Sequence, residues 1–231
     1  MLALKQALSL SSSNGVGGFN PINDSTLLAW WKNKVGVTES VGSITNWTDS
    51  SNNDYNLAQT RIVERPLYNS ITGSLTFDKT NDQNLFLNEV GSTQISISGE
   101  FSIGIRFYPT DFGGTIIGDN NTTNEFLKLF STSIIRLKID GVSVNLSLNG
   151  GSNWGDDYIL ITRNSSGLIE LYHNGVLQND TETLTGTFDI DSMGIRAVNA
   201  SPYGGIIFET QIYTSTSSDL SSNINNYLAN I

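Results

Sequence analysis

A chain of 231 residues with 22 glycines, 38% hydrophobic and 15% charged residues holds enough apolar surface for one sizeable core, and its low charge argues against helical bundles and coiled coils. Twenty-two acidic against 12 basic residues give a net charge of -10, which repels phosphate backbones, so nucleic acid is not an expected partner. The absence of cysteine excludes disulfides and thiolate metal sites and leaves the compartment open.

At the start, Leu4 and Leu8 share one face of a short helix that could hold only by docking on something. The apolar run of residues 1–4 is far too short for an export signal, and no stretch approaches the roughly 20 apolar residues of a membrane span. Residues 11–18 (SSSNGVGG) have linker composition. Residues 1–23 are therefore expected to be an arm, either a frayed end or an anchor that docks on a neighbouring subunit through Met1, Leu4 and Leu8. One domain is expected over 24–231.

That domain opens with TLLAWWK at 26–32, where a strand would send Trp30 and Trp31 to opposite faces, one of them into the core. Residues 41–54 lead into an Asp/Asn-rich loop. Its Asp49 and Asp54 are oxygen donors of the kind calcium takes, although EF-hand spacing is missing; the other reading is a solvated loop bonded to its own backbone. Strands are expected at 74–77, 84–87, 101–108, 115–118, 125–131, 134–139 and 142–148. Their spacing of about ten residues, with turn signals between, is that of an antiparallel sandwich. In 101–108, Phe101, Ile103, Ile105 and Phe107 alternate with polar or small residues, so one face should line the interior.

Residues 158–175 (YILITRNSSGLIELYHNG) read as two strands joined by a polar turn and ending at Asn174-Gly175, which suits a tight turn with positive φ. Strands at 193–197 and 206–213 follow. Leu220, Ile224, Tyr227, Leu228 and Ile231 then predict an amphipathic helix over 217–231, capped by Ser217 or Ser218.

A pattern R-x-x-x-G-x-x-x-L-Y-x-N-G (Arg163, Gly167, Leu171, Tyr172, Asn174, Gly175) resembles the laminin-G-like, or concanavalin A-like, jelly roll. The segment SLTFD at 74–78 with Asn81, Asp82 and Leu85, and the segment at 204–213 with Leu220 and 227–228, resemble two further parts of that family. The resemblance implies an all-β, antiparallel two-sheet jelly-roll sandwich with one C-terminal helix and an extended N-terminal arm.

Catalytic groups are scarce. His173 is the sole histidine and is expected at a strand end, so no ordinary zinc site or cysteine dyad can be built, and no G-x-S-x-G elbow exists. Asp189 and Asp191 alternate as a glycosidase pair would, but without the E-x-D-x-E pattern of such relatives. No enzyme is expected. A glycan site is expected at Trp154 with Asn153, Asp156 and Asp157, an aromatic platform beside amide and carboxylate partners; the alternative is that Trp154 plugs the end of the sandwich.

Low charge, absent cysteine and Asn/Ser/Thr/Gly richness resemble laminin-G-like proteins of tailed-phage virions. That resemblance implies a structural virion protein made in the host cytoplasm, with capsid or tail proteins as partners. It implies a closed homo-oligomer, a trimer if mounted on the capsid. The alternative is a lectin-like carbohydrate-binding module that meets surface glycans.

Overall fold

The computed structural model describes residues 18–88, 94–150, 154–197 and 200–231; Met1, Leu4, Leu8 and Asn153 lie outside them. The alternation in Phe101–Pro109 sets the frame. Phe101, Ile103, Ile105 and Phe107 are all fully buried in one core, and this strand pairs antiparallel with Asp157–Arg163 on one side and Gly205–Tyr213 on the other. Leu27–Trp31 forms one edge of this front layer; on the other side Leu168–His173 follows Asp157–Arg163 and carries the two-residue strands Val176–Leu177 and Glu182–Thr183 along its outer side.

The back layer runs Ser43–Trp47, Leu57–Ala58, Leu85–Leu87, Ser192–Met193, Thr115–Gly118, Phe126–Ser131, Ile134–Ile139 and Val142–Ser147, every neighbour antiparallel. Hydrogen bonding passes from one layer to the other through Ser74–Phe77 and Leu67–Asn69, so the sheet wraps round one edge of the sandwich. Leu127, Leu129, Ile135 and Leu137 from the back meet Ile103, Ile105, Ile159 and Ile161 from the front in the main core.

The helix Ser218–Leu228 forms a third layer over the outer face of the front sheet. Ser217 caps it by accepting from the Leu220 amide at 3.1 Å, and it stops at Leu228, short of the expected Ile231. Leu220, Ile224 and Leu228 bury a second core against Leu27, Trp30, Leu160 and Tyr213. Both faces of the front sheet are thereby covered. Trp31 enters the main core and Trp30 the second, so both tryptophans are buried rather than one. Phe19 and Pro21, expected in the arm, also pack on the domain: Phe19 meets Tyr227 edge-to-face at 6.4 Å, and Pro21 is buried.

Beneath the helix lies a buried polar network. Glu209 accepts from the Trp30 indole at 2.6 Å, the Asn33 amide at 3.0 Å and Gln211 at 2.9 Å, while Tyr213 donates to Gln211. Burial pushes the Glu209 carboxyl up from its ordinary range.

Candidate functional site

Of the expected glycan residues, Trp154, Asp156 and Asp157 lie at one end of the sandwich and are already occupied with structural tasks, while Asn153 lies outside the described residues. Trp154 is half-buried with ring centroids 5.4 Å from Phe107 and 5.0 Å from His173, and its indole N–H donates to the Thr132 carbonyl at 2.9 Å. Asp156 holds Arg106 through two contacts of 2.7 and 2.8 Å. Arg106 in turn donates to the carbonyls of Leu228 and Ile231, so Asp156 helps anchor the chain at the end of the helix. Asp157 is buried and accepts from Asn174 Nδ2 at 2.5 Å and from the Gly155 amide at 2.7 Å. His173, at the end of its strand as expected, sits 3.7 Å from Asp157, and burial pushes its pKa down.

The Asp/Asn-rich loop likewise spends its oxygens on the chain. Asp49 accepts from the amides of Trp30, Ser51 and Tyr55 and from the Ser51 hydroxyl, at 2.6–3.1 Å. Asp54 is exposed with φ 59°. Among the described residues no group of three or more His, Asp or Glu side chains forms a metal cluster, and the saturated Asp49 carboxylate does not fit calcium binding.

Asp189 and Asp191 are likewise engaged by the chain. Asp189 accepts from Ser96, while Asp191, 1% exposed, accepts from the Asn120 amide at 2.6 Å and Asn121 Nδ2 at 2.9 Å. Burial is the main reason that the Asp191 carboxyl is pushed up to about 6. A raised carboxyl favours the fold below about pH 3.8 and loses that contribution as pH rises through about 6. Asp191→Asn is therefore expected to gain on the wild type by roughly 2 kcal/mol between pH 4 and pH 7, or about 4–8 °C in Tm. Thermal melts across that range check it, and a constant difference would contradict it.

A second arrangement at the same end was not singled out from the sequence. The Asp157–Asn174 bond and the Asn174 side chain on the Tyr158 amide at 3.0 Å fix the turn carrying Gly175. Asn174 and Gly175 have φ of 49° and 78°, the pair of positive values a tight hairpin turn needs. Between this turn and the helix lies a groove of about 250 Å³ lined by Tyr158, Tyr172 and Gly175 on one side and by helix residues including Ser221, Ser222 and Asn225 on the other. None of its lining residues is charged. Burial raises both tyrosine pKa values, so both hydroxyls stay neutral donors and acceptors. Asn225 is 7% exposed, and its Oδ1 lacks a hydrogen-bond donor.

Two signals in the sequence point to this groove. Tyr158 shares a face with Leu160, whose partner across the sheet is Tyr172, so period-2 alternation puts both rings on the helix side. The helix carries serine and asparagine on its flanks. Only its docking shows that these meet the tyrosines.

No family model matches this chain, and no curated protein sequence matches it. Solved structures do match. Domain 4 of AbnA, a GH43 extracellular arabinanase from Geobacillus stearothermophilus, in complex with arabinotriose, aligns with a TM-score of 0.56 at 15% identity over 88% of this chain and 98% of that one. The botulinum neurotoxin serotype D ligand binding domain in complex with N-acetylneuraminic acid aligns with a TM-score of 0.58 at 16% identity over 90% of this chain and 52% of that one. The binding domain of Paraclostridial Mosquitocidal Protein 1 gives the same four values. This chain thus spans about half the length of the two toxin chains. At such identities the likeness is one of fold, an antiparallel sandwich of the concanavalin A-like jelly-roll kind.

Proposed function

We propose that this jelly roll is a non-catalytic, lectin-like module that holds a neutral saccharide in the tyrosine groove beside its terminal helix. The observation that carries the reading is the groove's composition: two tyrosine rings, serine hydroxyls and asparagine amides, with no charge among its lining residues. A sugar offers an apolar face to an aromatic ring and a fan of hydroxyls to donors and acceptors. One solved structure sharing the fold carries a neutral saccharide, arabinotriose, in line with this use, and another carries the acidic sugar N-acetylneuraminic acid. Asp157 and Asp156 brace the elements that form the groove through Asn174 and Arg106, and Trp154 packs on His173, the neighbour of Tyr172.

A glycan array followed by calorimetry tests this. Tyr158→Ala and Tyr172→Ala should each weaken binding at least tenfold, and Tyr172→Phe should stay within about threefold because stacking survives. Absence of any glycan ligand, or undiminished binding by both alanine variants, would overturn the reading.

Display on a tailed-phage virion is the second reading, with residues 1–23 attaching a homo-oligomer to capsid or tail proteins and the groove meeting host-surface glycans. An apolar edge favours it: Val41, Ile62, Val63, Leu67 and Ile71 are all more than half exposed, and the Gly42 turn is bonded to Tyr68. Deleting residues 1–18 should abolish incorporation into particles and leave the domain's melting transition in place. Unchanged incorporation would remove this reading.

A further inference from the structure

On the outer face of the back sheet, away from the groove, four of the chain's 12 lysines and arginines converge. The register places Lys128 opposite Arg136 and Phe126 opposite Lys138 on adjacent strands, and Arg196 joins from the segment after Ser192–Met193. Two phenylalanines hold the cations together. Arg196 and Lys128 lie 4.4 and 5.1 Å from the Phe126 ring centroid, and Arg136 and Lys128 lie 3.6 and 5.2 Å from that of Phe130.

In a protein of net charge -10 such a cluster should have drawn carboxylates. Among the described residues, no salt bridge involves any of the four. Arg136 donates to Asn145, Lys138 and Arg196 to the Thr123 carbonyl, and Arg196 to Ser201, all neutral acceptors. Burial, then Arg196 and Arg136, push the Lys128 pKa down to about 8. Two polar atoms here also lack partners: Arg196 Nε, and Oγ1 of the fully buried Thr115, which pairs with Lys128 across the sheet. Thr115 and Arg196 flank Gly118, where an added Cβ would lie 3.2 Å from a carbon of each. Arg163 shows the contrast of a purely structural cation, buried with every donor nitrogen on a carbonyl.

We propose that this face is a second binding site, for an anionic group carried on a polysaccharide, a uronate carboxylate or a sulfate ester. Charge and geometry match a small anion: Lys128, Arg136 and Arg196 surround it, and Phe130, 37% exposed, offers a ring edge to the adjoining sugar. Phe126 is too buried for a base to stack on it, and the acidic remainder of the protein repels a continuous phosphate backbone. The choice of a glycan as carrier rests on the lectin-like reading above; the anion site itself does not.

Calorimetry at about 50 mM salt tests it, with sulfated dextran oligosaccharide, oligogalacturonate, neutral dextran and single-stranded DNA as probes. At least one acidic saccharide should bind, neutral dextran and DNA at least tenfold more weakly, and the sulfated and uronate arms identify the anion. Arg136→Gln/Lys138→Gln changes partly exposed side chains and should cut that affinity at least tenfold, whereas Tyr172→Ala should leave it unchanged. A second variant, Arg196→Gln, should reduce it in the same direction. No binding by either acidic saccharide, equal binding of DNA, or full affinity in both charge variants would overturn the proposal. Acidic-saccharide binding lost in Tyr172→Ala but kept in the charge variants would move the ligand to the groove and overturn it as well.

Discussion

Arg163→Leu is expected to destabilise the protein by about 3 kcal/mol, seen as a lowered urea midpoint. The guanidinium is 2% exposed and stacks 4.8 Å from the Phe101 ring centroid. Its three nitrogens donate four bonds to the carbonyls of Ile97, Gly99 and Gly186. One of those carbonyls ends a strand of the two-stranded ribbon of Ile95–Ile97 and Phe188–Ile190 and the other two lie just beyond it, and no ladder joins this ribbon to the main sheet. One side chain therefore ties the ribbon to the front layer. Leucine fills the space but leaves the carbonyls without donors, and a carbonyl that loses its partner costs about 1–3 kcal/mol where it stays dry. Lysine restores charge but cannot span three acceptors, so Arg163→Lys should recover less than half of the loss. A Leu variant within 1 kcal/mol of the wild type would show that water replaces the clasp at little cost.

Gly104→Val is expected to lift the terminal helix off the sheet and abolish saccharide binding in the tyrosine groove. Gly104 lies in the central front strand, and a Cβ there would sit 2.7 Å from Ile224 Cγ2 and 3.0 Å from Leu228 Cδ1. Valine suits a strand, so the sandwich beneath should persist. The helix has only 11 residues and is not stable in water by itself, so losing its seat means losing its structure. Partial exposure of Leu220, Ile224 and Leu228 sets the penalty at about 3 kcal/mol. Hydrogen exchange should show protection lost over residues 218–228 and kept in Phe101–Pro109, while affinity at the basic face stays near the wild-type value. Intact protection of the helix amides would refute the seating argument.

Much of the fold was legible from period alone. Thr115–Gly118 and Ile134–Ile139 fall where alternation and turn residues put them, and Ser217 caps the helix as its hydroxyl chemistry suggests. Short strands escaped. Leu57–Ala58, Leu67–Asn69 and Ile95–Ile97 have two or three residues each, too few for a period to be recognised. The expected strand at 193–197 shrinks to Ser192–Met193, because Gly194 takes φ 88° with Phe77 packed where its side chain would be.

The sites divide along the same line. Trp154 and Asp157 stood out because a tryptophan among carboxylates looks like a sugar platform, yet whether an indole faces solvent depends on what stacks on it, here Phe107 and His173. The basic face was invisible for the opposite reason. Lys128, Arg136 and Arg196 are scattered along the chain and become neighbours only through strand register and one crossing segment.

From its residues alone this chain was bound to form alternating strands with one amphipathic helix, since burying one face of each element is a repeating choice made by adjacent residues. Where the helix settles, which cations face one another and which tyrosines share a groove were decided by the tertiary structure. Those outcomes depend on pairing between distant segments, which local hydropathy does not encode.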